Sequence, residues 1–137
     1  MSTLSDRMNA LQVALAAAYP DRVVTRSFMD FAQRGDDELV KGVYTLISRS
    51  EGDYVRYTDD SIADGTHQIW IVGQTRVAED AQPKAAEDAE GVMIDEIKVF
   101  LRTLPAALGS LQLNGWRQSE QMDYPYAGVA FELTFIQ

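Results

Sequence analysis

The sequence lacks several residue types and patterns that particular chemistries require. It contains no cysteine, which excludes disulfide bonds, zinc–thiolate sites and cysteine nucleophiles. No stretch approaches the ~18 consecutive apolar residues of a membrane helix, and residues 1–20 lack a basic segment followed by an apolar run. Neither G-x-G-x-x-G nor a Walker pattern occurs. We therefore expect a soluble, unexported protein with no cofactor and no bound metal.

Basic residues are scarce. Twelve Lys and Arg stand against 21 Asp and Glu, which gives a formal net charge of -9. Affinity for nucleic-acid phosphates comes mainly from clustered Lys and Arg, so this charge argues against general nucleic-acid binding. It also favours solubility and repels DNA.

The length and the apolar content define the size of the core. With 137 residues, of which 46% are hydrophobic, the chain suits one domain with a real core and leaves no room for a second of normal size. No internal repeat or linker occurs. We therefore interpret residues 1–137 as a single domain.

One long amphipathic helix, from Lys84 to Leu104, is the clearest element of the sequence. Its apolar residues recur three and four positions apart, which predicts one broad buried face: Ala86, Ala89, Met93, Ile97, Phe100 and Leu104. Pro83 stands where a first helical turn tolerates proline. Gly91 costs this helix about 1 kcal/mol relative to alanine, yet the apolar pattern runs through it.

The remaining elements are mostly strands. A first helix is predicted from the capping-box pattern Thr3–Asp6 to Tyr19–Pro20. Strands are predicted at Arg22–Phe28, Glu38–Ser48, Thr66–Val77, Leu111–Met122 and Ala127–Ile136. The order α-β-β-β-α-β-β predicts an α+β fold with a mostly antiparallel sheet of about five strands and two main helices.

The strand Thr66–Val77 contains four consecutive apolar residues, Ile69 to Val72. Because they do not alternate with polar residues, we expect this strand to be central and covered on both faces. The long helix can cover one face of the sheet. The first helix or another copy of the protein is then needed for the other.

A polar stretch from Arg49 to Gly65 separates two of these strands. Structureless loops of this length are uncommon in compact domains, so it is either a functional excursion or a hairpin extension. It combines Tyr with Arg, residue types that are enriched at protein interfaces. The candidate interface residues are Arg49, Asp53, Tyr54, Arg56, Tyr57, Asp59 and Asp60.

Other polar residues favour structural interpretations. The only histidine, His67, has no obvious partner that would make it a base or a ligand. The acids Asp53, Asp59, Asp60 and Asp64 lack the EF-hand spacing, so we favour a solvated loop over a calcium site. A second acidic run is interpreted as a solvated helix start or, alternatively, as a negative surface directed at DNA or a basic partner: Glu79, Asp80, Glu87, Asp88 and Glu90.

The layout of these elements resembles the tail terminator family of long-tailed bacteriophages and prophages, also described as minor tail protein U-like or tail completion proteins. The resemblance covers nearly the whole chain and lies in order, length and apolar pattern. It is carried by LQVALAAAYP, ELVKGVYTLIS, HQIWIVGQTRV, the Ala/Glu-rich helix ending FLRTLP, and GVAFELTF. No catalytic residues are carried over from this family.

The resemblance implies a structural role in the virion. It predicts a hexameric ring that caps the tail tube, stops its polymerisation and offers a surface for head attachment. The expected partners are other copies of the chain, the tail tube protein and head–tail connector proteins, with DNA passing through without specific binding and no membrane involved. The expected location is the virion tail, and the host cytoplasm during assembly.

Two alternatives remain open. The chain could be another connector at the head–tail joint, or a monomeric α+β module that binds a small ligand between sheet and helix. A deep pocket lined by Trp70, Tyr44 and Met93 would favour the ligand-binding module. We do not expect an enzyme, because no pair of titratable groups is indicated in one cleft.

Overall fold

A five-stranded sheet with the strand order β1-β2-β3-β5-β4 forms the centre of the protein. The computed structural model describes residues 4–52 and 65–136. The strands are β1 (Val23–Thr25), β2 (Val43–Gly52), β3 (Thr66–Arg76), β4 (Leu111–Gln118) and β5 (Tyr126–Phe135). The helices are α1 (Leu4–Ala18), α2 (Asp36–Lys41) and α3 (Lys84–Arg102), followed by a short 3-10 helix, Ala106–Leu108.

The pairing of the strands confirms the predicted α+β fold with a mostly antiparallel sheet. β1 pairs with β2 in parallel. The pairs β2–β3, β3–β5 and β4–β5 are antiparallel. β3 is the middle strand of the five, so its predicted central position is confirmed as well.

α3 forms where the apolar period predicts it and begins directly after Pro83. Its buried side chains include Met93, Ile97 and Phe100. They join one apolar core with Met8, Leu11 and Leu15 of α1 and with Tyr44, Leu46, Ile69, Ile71 and Phe131 of the sheet. Both long helices therefore pack on the same face of the sheet.

This arrangement corrects in part the expectation that β3 is covered on both faces. Since α1 lies beside α3, neither of the two long helices covers the opposite face. The segment of residues 28–31 lies over one end of that face, where Thr45 and Gln74 are buried. Trp70 and Val72, which point away from the core, are only half-buried. The four apolar residues in a row thus divide between a core face and a face that is partly exposed.

The predicted strand Glu38–Ser48 is wrong in its first part, which is the helix α2. Three acids, Asp36, Asp37 and Glu38, occupy the first turn, where the helix dipole favours negative charge. The helix ends at Gly42, whose φ of 86° suits glycine best, and its N–H donates to the carbonyl oxygens of Glu38 and Leu39. The strand itself begins at Val43.

Two other predicted strands are shorter in the structure. The predicted strand Arg22–Phe28 is reduced to Val23–Thr25. The predicted strand Leu111–Met122 ends at Gln118, because the chain then turns through Glu120 and Gln121, both with positive φ.

Candidate protein interface

The sheet face opposite α1 and α3 is called the open face here. Cross-strand register places its side chains next to one another, so that Ile47, Trp70 and Glu132 form one row and Thr45, Val72 and Ala130 the next. Arg117 extends the second row on β4. Ile47, Trp70, Val72 and Ala130 are half-buried, and Glu132 and Arg117 are exposed. The open face is therefore a patch of apolar side chains with charged residues around it.

Arg49 is the one predicted interface residue that lies in the described part of the chain, and it belongs to the open face. The register of β2 against β3 shifts between Ser48 and Ser50, so Arg49 is the extra residue of a β-bulge. Bulges redirect side chains. Its guanidinium carbon lies 4.3 Å from the centre of the Trp70 ring, a cation–π geometry.

The sequence indicated Trp70 only as a lining residue of a ligand pocket and not as part of a protein interface. Its ring is half-buried, and its indole N–H is buried without a hydrogen-bond acceptor among the described residues. Buried Trp N–H groups usually find a partner. Trp and Arg are also the residues that most often dominate binding energy at interfaces. The pair Trp70–Arg49 is therefore the first candidate for a binding contact on the open face.

The remaining predicted interface residues cannot be placed on this surface. Six of them lie outside the described residues: Asp53, Tyr54, Arg56, Tyr57, Asp59 and Asp60. Asp64, which was considered for a calcium site, also lies outside them. Within 4–52 and 65–136, no group of three or more His, Asp or Glu side chains could hold a metal ion. In the same ranges, no helix is both long and apolar enough to cross a membrane.

A cavity of about 330 Å³ lies at one end of the open face. Its lining includes Phe28 and Phe31 from the segment after β1, together with Val72, Gln74 and Ala130 of the sheet. The Gln74 Nε2 donates to the Met29 carbonyl oxygen at 3.0 Å, whereas its Oε1 is buried and has no donor among the described residues. The cavity thus combines aromatic walls with one unpaired acceptor.

The pocket considered for a ligand between sheet and helix is not formed. Tyr44 and Met93 are fully buried in the core, while Trp70 lies on the opposite face of the sheet. The Tyr44 hydroxyl donates to Glu96 Oε1 at 2.7 Å, and Arg22 pairs with Glu96 Oε2 at 2.9 Å. Burial and the hydrogen bond to the Glu96 carboxylate raise the pKa of Tyr44. These three residues attach α3 to the sheet.

His67 is buried and lies between Arg7 and Ser48. Its Nε2 is 2.8 Å from Ser48 Oγ, and its Nδ1 is 3.2 Å from Arg7 Nη1. Because guanidinium can only donate, Nδ1 must accept, and the ring proton lies on Nε2. In this tautomer the ring donates to Ser48 and cannot remove its proton. The geometry therefore fits the structural role predicted for His67.

Glu90 is the exception to the interpretation of the acidic run as a solvated helix start, since the other four acids of the run are exposed. Its side chain is fully buried and accepts hydrogen bonds from Ser119 Oγ, from Gln118 Nε2 at 3.3 Å and from Gly128 N at 2.8 Å. The position is four residues after Ala86 and three before Met93, so helical spacing alone places it on the buried face. Glu90 anchors α3 to the β4–β5 connection.

In comparisons with known proteins, no family model and no curated protein matches this chain. Its function is therefore inferred from the open face and from the layout of its elements.

Proposed function

We propose that this chain is a structural assembly protein, a ring-forming tail terminator of the kind found in long-tailed phages. In this role it caps the tail tube, stops tube polymerisation and presents a surface for head attachment. The observation that carries the proposal is the open face, a sheet surface that neither α1 nor α3 covers and that presents Trp70 and Arg49. Contiguous apolar surface rimmed by polar groups is typical of protein interaction sites.

In a ring, a neighbouring subunit would cover the open face. Ring subunits contact one another head to tail, so each subunit needs two different contact surfaces. The ring closes when the rotation that relates neighbouring subunits returns to the first subunit after a whole number of copies. The expected hexamer would use the open face as one of the two. The net charge of -9 suits a subunit around a channel, because an acidic wall repels DNA in transit instead of holding it.

The experiment that tests this function is assembly on tail tubes. The protein is added to polymerising tail tube protein, and tube lengths and tube ends are measured in negative-stain images. We expect rings with a central hole at tube ends, and tubes that stop growing. Unchanged tube length together with bare tube ends would overturn the proposal. As a control, an Arg26→Glu variant, which changes an exposed arginine outside the open face, should cap tubes like the wild type.

The cavity beside Gln74 favours one second candidate, a module that binds a small apolar ligand with a hydrogen-bond donor. Phe28 and Phe31 would contact its apolar part, and Gln74 Oε1 would accept its donor. Native mass spectrometry of protein purified without denaturation tests this. A bound molecule of constant mass that is lost in an Ala130→Trp variant would favour the binding module over the ring.

A further inference from the structure

We infer that the open face receives helix α3 of a second copy of this chain, an inference that rests on the ring-forming role proposed above. The contact would be head to tail, with the open face of one subunit against the outer side of α3 in the next. The sheet of each subunit would then lie between its own helices and the α3 of its neighbour.

The outer side of α3 carries an exposed stripe that the fold does not use. Asp88, Val92, Asp95 and Val99 follow one another at spacings of four, three and four, so they lie in one line along the helix. All four are exposed, including Val92 at 52% and Val99 at 49%. The buried positions, such as Met93 and Ile97, lie on the opposite side of the helix. This line of four residues is called the α3 stripe.

Charges of opposite sign lie on the two surfaces, and the exposed bases Lys84 and Arg102 continue the line of the α3 stripe at its two ends. The α3 stripe has two carboxylates, and neither forms a salt bridge with another described residue. The open face has two exposed arginines, Arg49 and Arg117, which also have no salt bridge within the described ranges. Among the described residues, the exposed acid Glu132 lies in the row of Trp70, and the exposed acids Asp30 and Asp123 line the cavity at one end of the open face.

The α3 stripe and the open face also match in their apolar side chains and in their lengths. On the α3 stripe, Val92 lies between the two acids and Val99 follows the second acid. On the open face, the apolar side chains Ile47, Trp70 and Val72 are half-buried. From Asp88 to Val99 the stripe is about 16 Å long at the usual helical rise. From β2 to β4 the open face is about 14 Å wide, which is three strand spacings. A helix laid across the strands would therefore reach both Arg49 and Arg117.

Two charge-reversed variants test this contact. The first combines Arg49→Glu with Arg117→Glu and changes only the open face. The second combines Asp88→Arg with Asp95→Arg and changes only the α3 stripe. All four residues are exposed, so both variants should keep the wild-type melting temperature. Self-association is measured by light scattering across a concentration series at low salt.

We expect each variant alone to associate at least tenfold more weakly than the wild type, because like charges then face each other. An equimolar mixture should regain association, because each reversed surface meets its complement on the other variant. A control with Arg26→Glu and Asp80→Arg, exposed but outside both surfaces, should associate like the wild type.

Three outcomes would overturn the inference. These are a wild type that stays monomeric up to millimolar concentration, an α3-stripe variant that associates normally, and a mixture that fails to recover. If the wild type forms rings while the mixture fails, the contact is wrong and the ring role stands. If the mixture recovers but the wild type does not cap tail tubes, the contact stands and the proposed function is wrong.

Discussion

Two glycines, Gly42 and Gly91, differ in whether the structure at their position requires glycine. Gly42 has a φ of 86°, and a Cβ added there would collide with the Arg22 side chain. Gly91 lies inside α3, where an added Cβ meets nothing within 4 Å. We expect Gly42→Ala to lower the free energy of unfolding by at least ~1–2 kcal/mol and Gly91→Ala to raise it by up to about 1 kcal/mol. Urea titrations of both variants measure this, and equal effects of the same sign would contradict it.

His67 provides a pH-dependent contribution to stability. Burial, together with the positive charge of Arg7, lowers the pKa of His67 below its ordinary value of 6.5, and Glu51 opposes this only in part. The folded state therefore favours neutral imidazole. Its contribution is fully present above pH 6.5 and is lost as the pH falls through the lowered pKa of the folded state.

We therefore expect the free energy of unfolding to fall as the pH is lowered below about 6.5. The decrease should be smaller in a His67→Gln variant, which has no imidazole to protonate. Urea unfolding of both proteins at several pH values between 7.5 and 5.5 measures the difference. Parallel curves for the two proteins would show that His67 does not contribute.

At the scale of elements, α3 holds the helical layer together. Ile97 is fully buried in the core, and an aspartate there would be an unpaired charge in apolar surroundings. We expect Ile97→Asp to cost several kcal/mol, roughly the whole stability of a small domain, and to unfold the monomer. Circular dichroism during heating is the measurement. The matched control is Val99→Asp on the exposed side of the same helix, which should melt cooperatively near the wild-type temperature.

The elements that sequence reasoning located well are those with many repeats of their period. α3 has a complete apolar stripe, and the burial of β5 alternates from Tyr126 to Leu133. α2 was missed because six residues contain too few turns to establish a period, and its exposed Val40 favours strand. The three acids after Gly35 were the local signal for a helix start.

At the scale of the whole molecule, the two tryptophans of the chain allow a comparison between the open face and another surface. Trp70 lies on the open face beside Arg49, whereas Trp116 is 42% exposed and contacts Lys98 of α3. We expect Trp70→Ala to weaken self-association roughly 30-fold, the effect of losing ~2 kcal/mol at an interface hot spot. Trp116→Ala should leave association within a factor of three, as measured by light scattering. Equal weakening in both variants would contradict the assignment of the open face.

The candidate site was predictable only in part. Arg49 could be proposed from its residue type and its polar surroundings. The role of Trp70 could not, because its exposure depends on which face of the sheet α1 occupies. Four apolar residues in a row on β3 are equally compatible with α1 on either face. Only the packing of Met8, Leu11 and Leu15 beside α3 decides between the two.

The strand order also determines when the open face is completed during synthesis of the chain. β3 pairs with β2 on one side and with β5 on the other, and the ribosome makes α3 and β4 before β5. Until β5 emerges, one edge of β3 is unpaired and the row that contains Trp70 lacks Glu132. Nascent chains, and chains truncated before β5, therefore have no complete open face.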